Sequence, residues 1–171
     1  MKRCVFIIVG ILTVCLSGCG YYFAGKGGSM ASEIKTLAVP FFTNDTFEAG
    51  IENIFTDALT NEFLKRGGAK IEKKEVSDAV VTGTIKSFTT SSISFDKRDR
   101  VLEYRATVTL DVSLKSNHDG AVLWESSDLS GNQEYAVSPS ITVTDNNKRD
   151  AIRKIAEDLA EDVYNMIFED F

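Results

Sequence analysis

The fold is decided by residues 103–114, whose sequence is EYRATVTLDVSL. Its even-numbered residues, from Tyr104 to Leu114, are apolar, and its odd-numbered residues are charged or hydroxylated. A period of two predicts a β-strand with one face in a hydrophobic core and the other face polar. Thr107 and Thr109 fall on the polar face.

The segments on either side predict hairpins with this strand. Downstream, the Asp119-Gly120 pair favours a tight turn into a strand that begins near Ala121 and continues towards Tyr135. Upstream, residues 79–95 are rich in Thr, Ser, Ile and Val, and eight of the thirteen residues from Thr82 to Ser94 are Ser or Thr. This composition predicts another long strand with a hydroxylated face.

Two amphipathic helices complete the prediction. Asn44, Asp45 and Thr46 supply N-cap residues for a first helix of roughly 18 residues, which Gly67 and Gly68 end. After a loop over residues 137–147, a second helix closes the chain. The apolar positions expected to line the two helices are Ile51, Ile54, Phe55, Ala58, Leu59 and Phe63 in the first and Ile152, Ile155, Leu159, Val163 and Ile167 in the second.

Two shorter segments complete the sheet. Residues 34–42 place Leu37, Val39 and Phe41 on one face of a strand, and Pro40 favours a position near a sheet edge. Residues 70–75 fit either an edge strand or a loop. The expected fold is α+β, a two-layer sandwich in which two helices pack on one face of a mostly antiparallel sheet of four to five strands, in the order β-α-β-β-β-β-α.

The N-terminus predicts a lipoprotein leader. Lys2 and Arg3 precede an apolar run over residues 4–16, which is shorter than the ~20 residues of a membrane-spanning helix. The run ends in Leu16-Ser17-Gly18-Cys19, which resembles a bacterial lipobox and makes Cys19 the predicted lipidation site. The alternatives are a secretory peptide that happens to contain Cys, or an uncleaved anchor. The predicted division is a signal peptide over 1–18, a tether over 19–33 and one domain over 34–171.

Composition and residue types argue against several function classes. The chain has 171 residues and a formal charge of −6, which disfavours a nucleic-acid partner. His118 is alone in a predicted turn and would lack Cys partners after processing, so no metal site, cofactor or catalytic residue is predicted. Gly25 to Ser29 suggest a flexible tether rather than a phosphate loop. The carboxylates of the last helix are typical of a solvated face.

One basic cluster stands out in this acidic chain. Lys97, Arg98 and Arg100 lie between two predicted strands, together with Asp96 and Asp99. At a hairpin tip they could bind the phosphorylated sugar of a lipid or an acidic loop of a partner. A solubilising turn, in which the two acids balance two of the bases, is the alternative.

Several blocks together resemble the LptE family of lipopolysaccharide-assembly lipoproteins. The blocks occur in the family's order and cover the chain from Cys19 onward: CGYYFAG at 19–25, LAVPFF at 37–42, VTGTI at 81–85, EYR at 103–105, GAVLW at 120–124 and the closing amphipathic helix. Gly20 after the Cys, in place of Asp, points to the outer membrane in lipoproteins of this kind.

The resemblance implies an outer-membrane lipoprotein that faces the periplasm, pairs with the LptD β-barrel as a plug, assists its assembly and binds lipopolysaccharide. Lys97, with Arg98 and Arg100 as neighbours, matches the tip that family members use for lipopolysaccharide. The second basic contact of relatives is replaced here by Thr142, Thr144 and Asn146 before Lys148. The polar strand face with Thr107 and Thr109 is the expected barrel contact.

Two other classes of function remain open at this point. A lipoprotein that faces the periplasm and binds peptidoglycan or another envelope protein would have the same leader and tether. It would differ by not co-purifying with a β-barrel. A lipid-anchored enzyme is the third class, and turnover of an envelope substrate would identify it.

Overall fold

The computed structural model describes residues 34–168, which form one α+β sandwich of six strands and two helices. A 3₁₀ turn, Lys74–Val76, precedes the first of the three long strands. The elements in chain order are β1 (Thr36–Ala38), β2 (Thr43–Asn44), α1 (Ile51–Arg66), β3 (Lys70–Ile71), β4 (Ala79–Phe95), β5 (Val101–Ser116), β6 (Val122–Ala136) and α2 (Ile141–Phe168). The predicted leader, Cys19 and the tether lie outside the described residues.

The sheet is mixed, with the order β3-β1-β4-β5-β6, and β2 also pairs with β4. The three long strands β4, β5 and β6 are antiparallel neighbours, whereas the short strands β1, β2 and β3 join in parallel. The expected α+β sandwich is confirmed, and β2 adds one short strand to the predicted order. Residues 70–75, which fitted a strand or a loop, contain β3 and then enter the 3₁₀ turn.

The alternation of residues 103–114 is confirmed in β5. The side chains of Ala106, Val108, Leu110, Val112 and Leu114 are buried, whereas the intervening odd-numbered residues from Thr107 onward are half-buried on the opposite face. Burial of one face fixes the register of the sheet, because a slip of one residue would expose the whole apolar set.

Both helices cover the apolar face and run side by side in the same direction. Near their first turns, Lys148 of α2 bonds to Glu48, just before α1, at 2.8 Å. Near their last turns, Arg66 of α1 reaches Glu161 of α2 at 2.7 Å and its guanidinium lies over the Tyr164 ring. The helix side chains that fill the core are Phe55, Leu59 and Phe63 from α1 and Ile152, Ile155, Leu159, Val163 and Ile167 from α2.

Two glycines allow the layers to approach each other. Gly83 in β4 faces the buried ring of Phe42, and a Cβ atom at position 83 would overlap that ring. Gly131 in β6 faces α2, where a Cβ atom would lie 2.8 Å from Cγ2 of Ile155. The backbone N–H of Phe42 donates to Oγ1 of Thr56 at 3.0 Å, which fixes Phe42 to α1.

The predicted strand over residues 34–42 is wrong in its length. β1 ends at Ala38, and it lies near the edge of the sheet, between the two-residue edge strand β3 and β4. Phe41 is 73% exposed, and Phe42 is buried instead. The alternation fails because the chain leaves the sheet after Ala38 and re-enters as β2, with Pro40 in the connection.

The predicted N-cap of α1 is also wrong. The side chain of Asn44 accepts a bond from the Thr46 N–H at 2.9 Å and so organises a turn ahead of the helix. α1 begins at Ile51 after Gly50, whose φ of 84° is a left-handed conformation that glycine adopts without strain. The C-terminal prediction is confirmed, since the Gly67 N–H caps the helix by donating to the Phe63 carbonyl at 2.9 Å.

The loop predicted over residues 137–147 is wrong over most of its length, because α2 begins at Ile141. The Thr144 N–H donates to the Ser140 carbonyl at 3.1 Å, and the Thr144 hydroxyl accepts from the Ser138 N–H at 2.9 Å. These local bonds start the helix about three turns before its apolar stripe begins at Ala151. The periodicity used for the prediction is absent there, since Ile141 and Val143 are exposed.

Asp78 holds the chain where it enters the sheet. Its carboxylate accepts bonds from the Thr36 hydroxyl at 2.9 Å, the Thr36 N–H at 2.8 Å and the Lys35 N–H at 3.0 Å. These bonds, with a smaller contribution from His118, hold the pKa of Asp78 below its ordinary value of 3.8. The side chain of His118 is 80% exposed, and its Nε2 lies 3.7 Å from the Asp78 carboxylate. His118 therefore belongs to the contacts around Asp78 at this end of the sheet.

The Asp78 bonds predict an acid-dependent loss of stability. A carboxyl with a lowered pKa stabilises the folded state above the unfolded pKa, and this contribution disappears as the pH falls through the folded pKa. We therefore expect Asp78→Asn to lower Tm at pH 6, and this difference from wild type should shrink as the pH falls below 3.8. Thermal melts across this range provide the measurement, and subtracting the variant curve from wild type removes the titration of Asp96 and Asp119. A Tm difference that does not change with pH would contradict the assignment.

Candidate functional site

The turn between β4 and β5 is organised around the carboxylate of Asp96. Oδ1 accepts from the backbone N–H of Arg98 at 2.8 Å and of Arg100 at 3.0 Å, and Oδ2 accepts from Nε and Nη2 of Arg100 at 2.8 and 2.7 Å. The bonds from Arg100 and Arg98 lower the pKa of Asp96. Asp99 completes the turn in the left-handed conformation, with φ of 57°. The turn therefore has a defined shape.

The structure separates the three predicted basic residues by their roles. Arg100 bonds to Asp96 through Nε and Nη2, so this side of its guanidinium stabilises the turn. Lys97 and Arg98 are exposed, and within residues 34–168 neither side chain makes an ion pair. The tip therefore presents two cations that can take an anionic ligand without breaking an internal bond.

Exposed apolar side chains flank the same turn. Phe95 ends β4 with 55% exposure, and Leu102 near the start of β5 is 45% exposed. The Val137 N–H donates to the Leu102 carbonyl at 2.8 Å, which brings the end of β6, and with it the exposed Ile141 of α2, to this end of the sheet. These residues were not predicted, although the sequence shows a charged run bounded by apolar residues at 95 and 101–102.

The segment expected to replace a second basic contact is not a loop. Thr142, Thr144 and Asn146 lie in the first turns of α2, and Thr144 is engaged in the helix start. Lys148 bonds to Glu48 at 2.8 Å and is half-buried. The basic character of this end therefore comes from the hairpin tip.

Thr107 and Thr109 lie in the middle of an uncharged polar surface. In the antiparallel register, Thr107 is flanked by Thr89 of β4 and Asn132 of β6, and Thr109 by Ser87 and Ser130. Directly opposed residues point to the same face, so all six side chains share the face away from the helices. We call this set the hydroxyl strip: Ser87, Thr89, Thr107, Thr109, Ser130 and Asn132. The ion pair of Arg105 with Glu134 bounds it towards the tip.

The helix side of the molecule has the opposite character. A cleft of about 620 Å³ between α1 and α2 is lined by charges of both signs, including Asp57, Lys65, Glu157 and Asp158. Exposed ion pairs such as Lys154 with Asp158 follow the helix surface. The charged helix face is well hydrated, whereas the hydroxyl strip can contact another protein without burying a charge.

The matching protein-family model decides the identity of the chain. It is described as LptE, lipopolysaccharide-assembly, and it matches residues 34–167, nearly the whole described part. The chain belongs to the LptE family. The resemblance drawn from the sequence blocks is thereby confirmed, and this LptE chain belongs to a non-enzymatic lipoprotein family associated with lipopolysaccharide transport.

Solved structures share the LptE fold. The rare lipoprotein B from Shewanella oneidensis matches with a TM-score of 0.51 and 12% identity, over 77% of this chain and 92% of its own. The lipoprotein B from Nitrosomonas europaea matches with a TM-score of 0.53 and 14% identity, over 79% and 83%. No curated protein sequence matches at a significant level.

No helix in residues 34–168 of this LptE chain combines the length and the hydrophobicity needed to span a membrane. This includes α2, whose 28 residues alternate between a buried stripe and a charged face.

Proposed function

We propose that this LptE-family chain is held on the periplasmic side of the outer membrane by a lipid on Cys19. There it pairs with an LptD-like β-barrel, assists the assembly of that barrel and binds lipopolysaccharide. The observation that carries the pairing is the hydroxyl strip, an uncharged polar surface across three strands that no described element covers.

The hydroxyl strip suits the inside of a barrel for an electrostatic reason. The interior of such barrels is polar, so an apolar plug surface would gain little there. A charged plug surface would lose hydration at every imperfect contact. Hydroxyls donate and accept, so they can match polar groups of either kind. Thr107 and Thr109 are also β-branched and thus stiff at χ1, which reduces the entropy lost on binding.

The hairpin tip suits the lipopolysaccharide part of the proposal. Lys97 and Arg98 can donate charge-assisted hydrogen bonds to phosphate, which are roughly twice as strong as neutral ones. Phe95 and Leu102 offer apolar surface within the same turn region. An amphiphile that carries phosphate next to acyl chains matches both features at once.

Bulky residues on the hydroxyl strip test the pairing. We expect Thr107→Trp with Thr109→Trp to prevent stable association with the barrel, because two indole rings would stand where a close-packed polar contact is proposed. The measurement is the amount of barrel that co-purifies with tagged, full-length lipoprotein in mild detergent. Thermal melts verify that the variant folds, which is expected because both side chains point away from the core.

A matched control places the same bulk on the helix side. Glu157→Trp with Asp162→Trp changes two exposed residues of α2 and should leave the barrel recovered at the wild-type level. Equal recovery with both double variants would count against the strip, and capture of a different envelope component by the wild type would favour the alternative class of lipoprotein. Mass spectrometry of the purified N-terminus tests the acyl group on Cys19.

A further inference from the structure

The outer edge of β4 is paired over its first half and open over its second half. β1 pairs with Ala79 and Val80, and β2 pairs with Thr84 and Ile85. The last bond on this side joins the Asp45 N–H to the Ile85 carbonyl at 3.0 Å. From residue 87 to the end of β4, no strand among residues 34–168 adjoins this edge.

The direction of the backbone groups on this edge follows from the register. The Val108 carbonyl faces β6, because it accepts a bond from the Ser130 hydroxyl at 3.2 Å. Its partner on β4 is Phe88, so the two residues do not bond to each other and the N–H of Phe88 faces the open edge. By alternation, the N–H groups of Thr90 and Ser92 also face the edge, whereas those of Ser87, Thr89 and Ser91 face β5.

Between Ser87 and Ser92 the open edge lacks the usual protection against strand pairing, and register irregularities lie only at the two ends of this stretch. Natural edges carry charges, prolines or tight irregularities that prevent a further strand from adding. Residues 87–95 contain no charge, proline or glycine, and their register with β5 is unbroken from Ser87 to Ser92. The opposite edge of the sheet differs, since β6 carries Glu125, Asp128 and Glu134 and is interrupted where Asp128 adopts a positive φ of 56°.

The size of the edge indicates the kind of occupant. A regular edge of six residues is far smaller than the roughly 20–30 residues a side of a stable soluble interface, so pairing with a second copy of the chain would be weak by itself. The edge is, however, continuous with the hydroxyl strip, because Ser87 and Thr89 belong to both. A partner that already contacts the strip would reach the edge with little extra ordering.

We propose that the Ser87–Ser92 edge of β4 receives an extended, uncharged segment of the barrel partner, which adds to the sheet as a further strand. The contacts are main-chain hydrogen bonds to the outward groups of Phe88, Thr90 and Ser92, as in other cases of strand addition. This inference rests on the proposed pairing with a barrel and names the way in which one part of that interface is formed.

Hydrogen exchange of single amides tests the inference directly. In the free full-length lipoprotein, the amides of Phe88, Thr90 and Ser92 should exchange fast, while those of Ser87, Thr89 and Ser91 are already slow through β5. In the complex with the barrel, the first set should slow by roughly a hundredfold, corresponding to about 2.7 kcal/mol of added protection. Unchanged fast exchange of these three amides in the complex would overturn the inference.

A backbone variant gives an independent result. Thr90→Pro removes one outward N–H and keeps the ladder to β5, while Thr90→Ala removes the side chain and keeps the N–H. Thr90→Pro should reduce the recovered barrel several-fold, and Thr90→Ala should not. Equal recovery with both variants overturns the inference but leaves the pairing intact. Slow exchange at the edge in the free protein would assign it to the chain's own residues 1–33 or to a second copy, and would also overturn it.

The wild-type protein distinguishes failure of the inference from failure of the proposed function. If wild-type lipoprotein recovers no barrel at all, the pairing fails and the strand addition fails with it. If wild-type lipoprotein recovers the barrel and the Thr107→Trp, Thr109→Trp variant does not, the pairing stands. The exchange pattern and the Thr90 variants then decide on strand addition alone.

Discussion

Gly83→Ala is expected to destabilise the domain by about 3 kcal/mol, the upper part of the usual range for overpacking a core. The added methyl group would overlap the ring of Phe42, and neither partner can yield easily. Gly83 lies on a strand with neighbours on both sides, and Phe42 is bonded to Thr56 of α1. For a domain of this size the expected fall in Tm is roughly 10 °C, measured by thermal unfolding.

A double-mutant cycle tests the cause of this destabilisation. Phe42→Leu removes part of the ring, so the double variant with Gly83→Ala should be more stable than the sum of the single effects predicts. Gly131→Ala provides the comparison, because its Cβ would approach Ile155 and Leu159 less closely than a Cβ at position 83 would approach Phe42. Its cost should be smaller. A Gly83→Ala protein as stable as wild type, or purely additive effects, would show that the Phe42 ring is free to move.

Charge reversal at the hairpin tip is expected to weaken lipopolysaccharide binding by roughly tenfold or more. Lys97→Glu with Arg98→Glu replaces two donors by two acids, and a hydrogen bond to a charged group contributes about 1.5–3 kcal/mol. Neither residue makes an internal ion pair among the described residues, so folding should be unaffected. Titration of the purified protein with lipopolysaccharide at fixed ionic strength measures the change, and the effect should shrink as salt is raised.

The control reverses the same number of charges at the opposite end of the sheet. Lys73→Glu with Lys74→Glu alters two exposed lysines beside the 3₁₀ turn and produces the same net charge. This variant should bind lipopolysaccharide nearly as well as wild type. Similar losses in the two double variants would mean that net charge, rather than the tip, attracts the ligand.

The long strands were predictable because their information is local. The period of two in β5 specifies a buried face over many residues, and β4 matches its prediction from Ala79 to Phe95. Each hairpin turn contains a residue that favours it. Gly120 adopts a positive φ of 73°, and the Asp96 carboxylate accepts a hydrogen bond from a backbone N–H of its own turn. The position of the basic tip was predictable because the tip is the turn between the two predicted strands β4 and β5.

The other features depend on partners distant in the chain. β1 is inside the sheet because residues 70–71 cover its other side, and nothing near Leu37 in the sequence encodes that contact. The early start of α2 has no apolar stripe to mark it. The division of roles at the tip, with Arg100 bonded to Asp96, depends on turn geometry. The hydroxyl strip required the register of β4 and β6 against β5, which alternation in single strands does not supply.

The Asp78 bonds place the chain's point of entry at the start of β4, and the basic turn lies at the other end of the same strand. β4 spans seventeen residues between these two ends, which at about 3.3 Å per residue is roughly 55 Å. A bilayer with its headgroups measures about 40–45 Å. On the proposed attachment through Cys19, a sheet of this length is long enough to carry Lys97 and Arg98 across the thickness of the membrane.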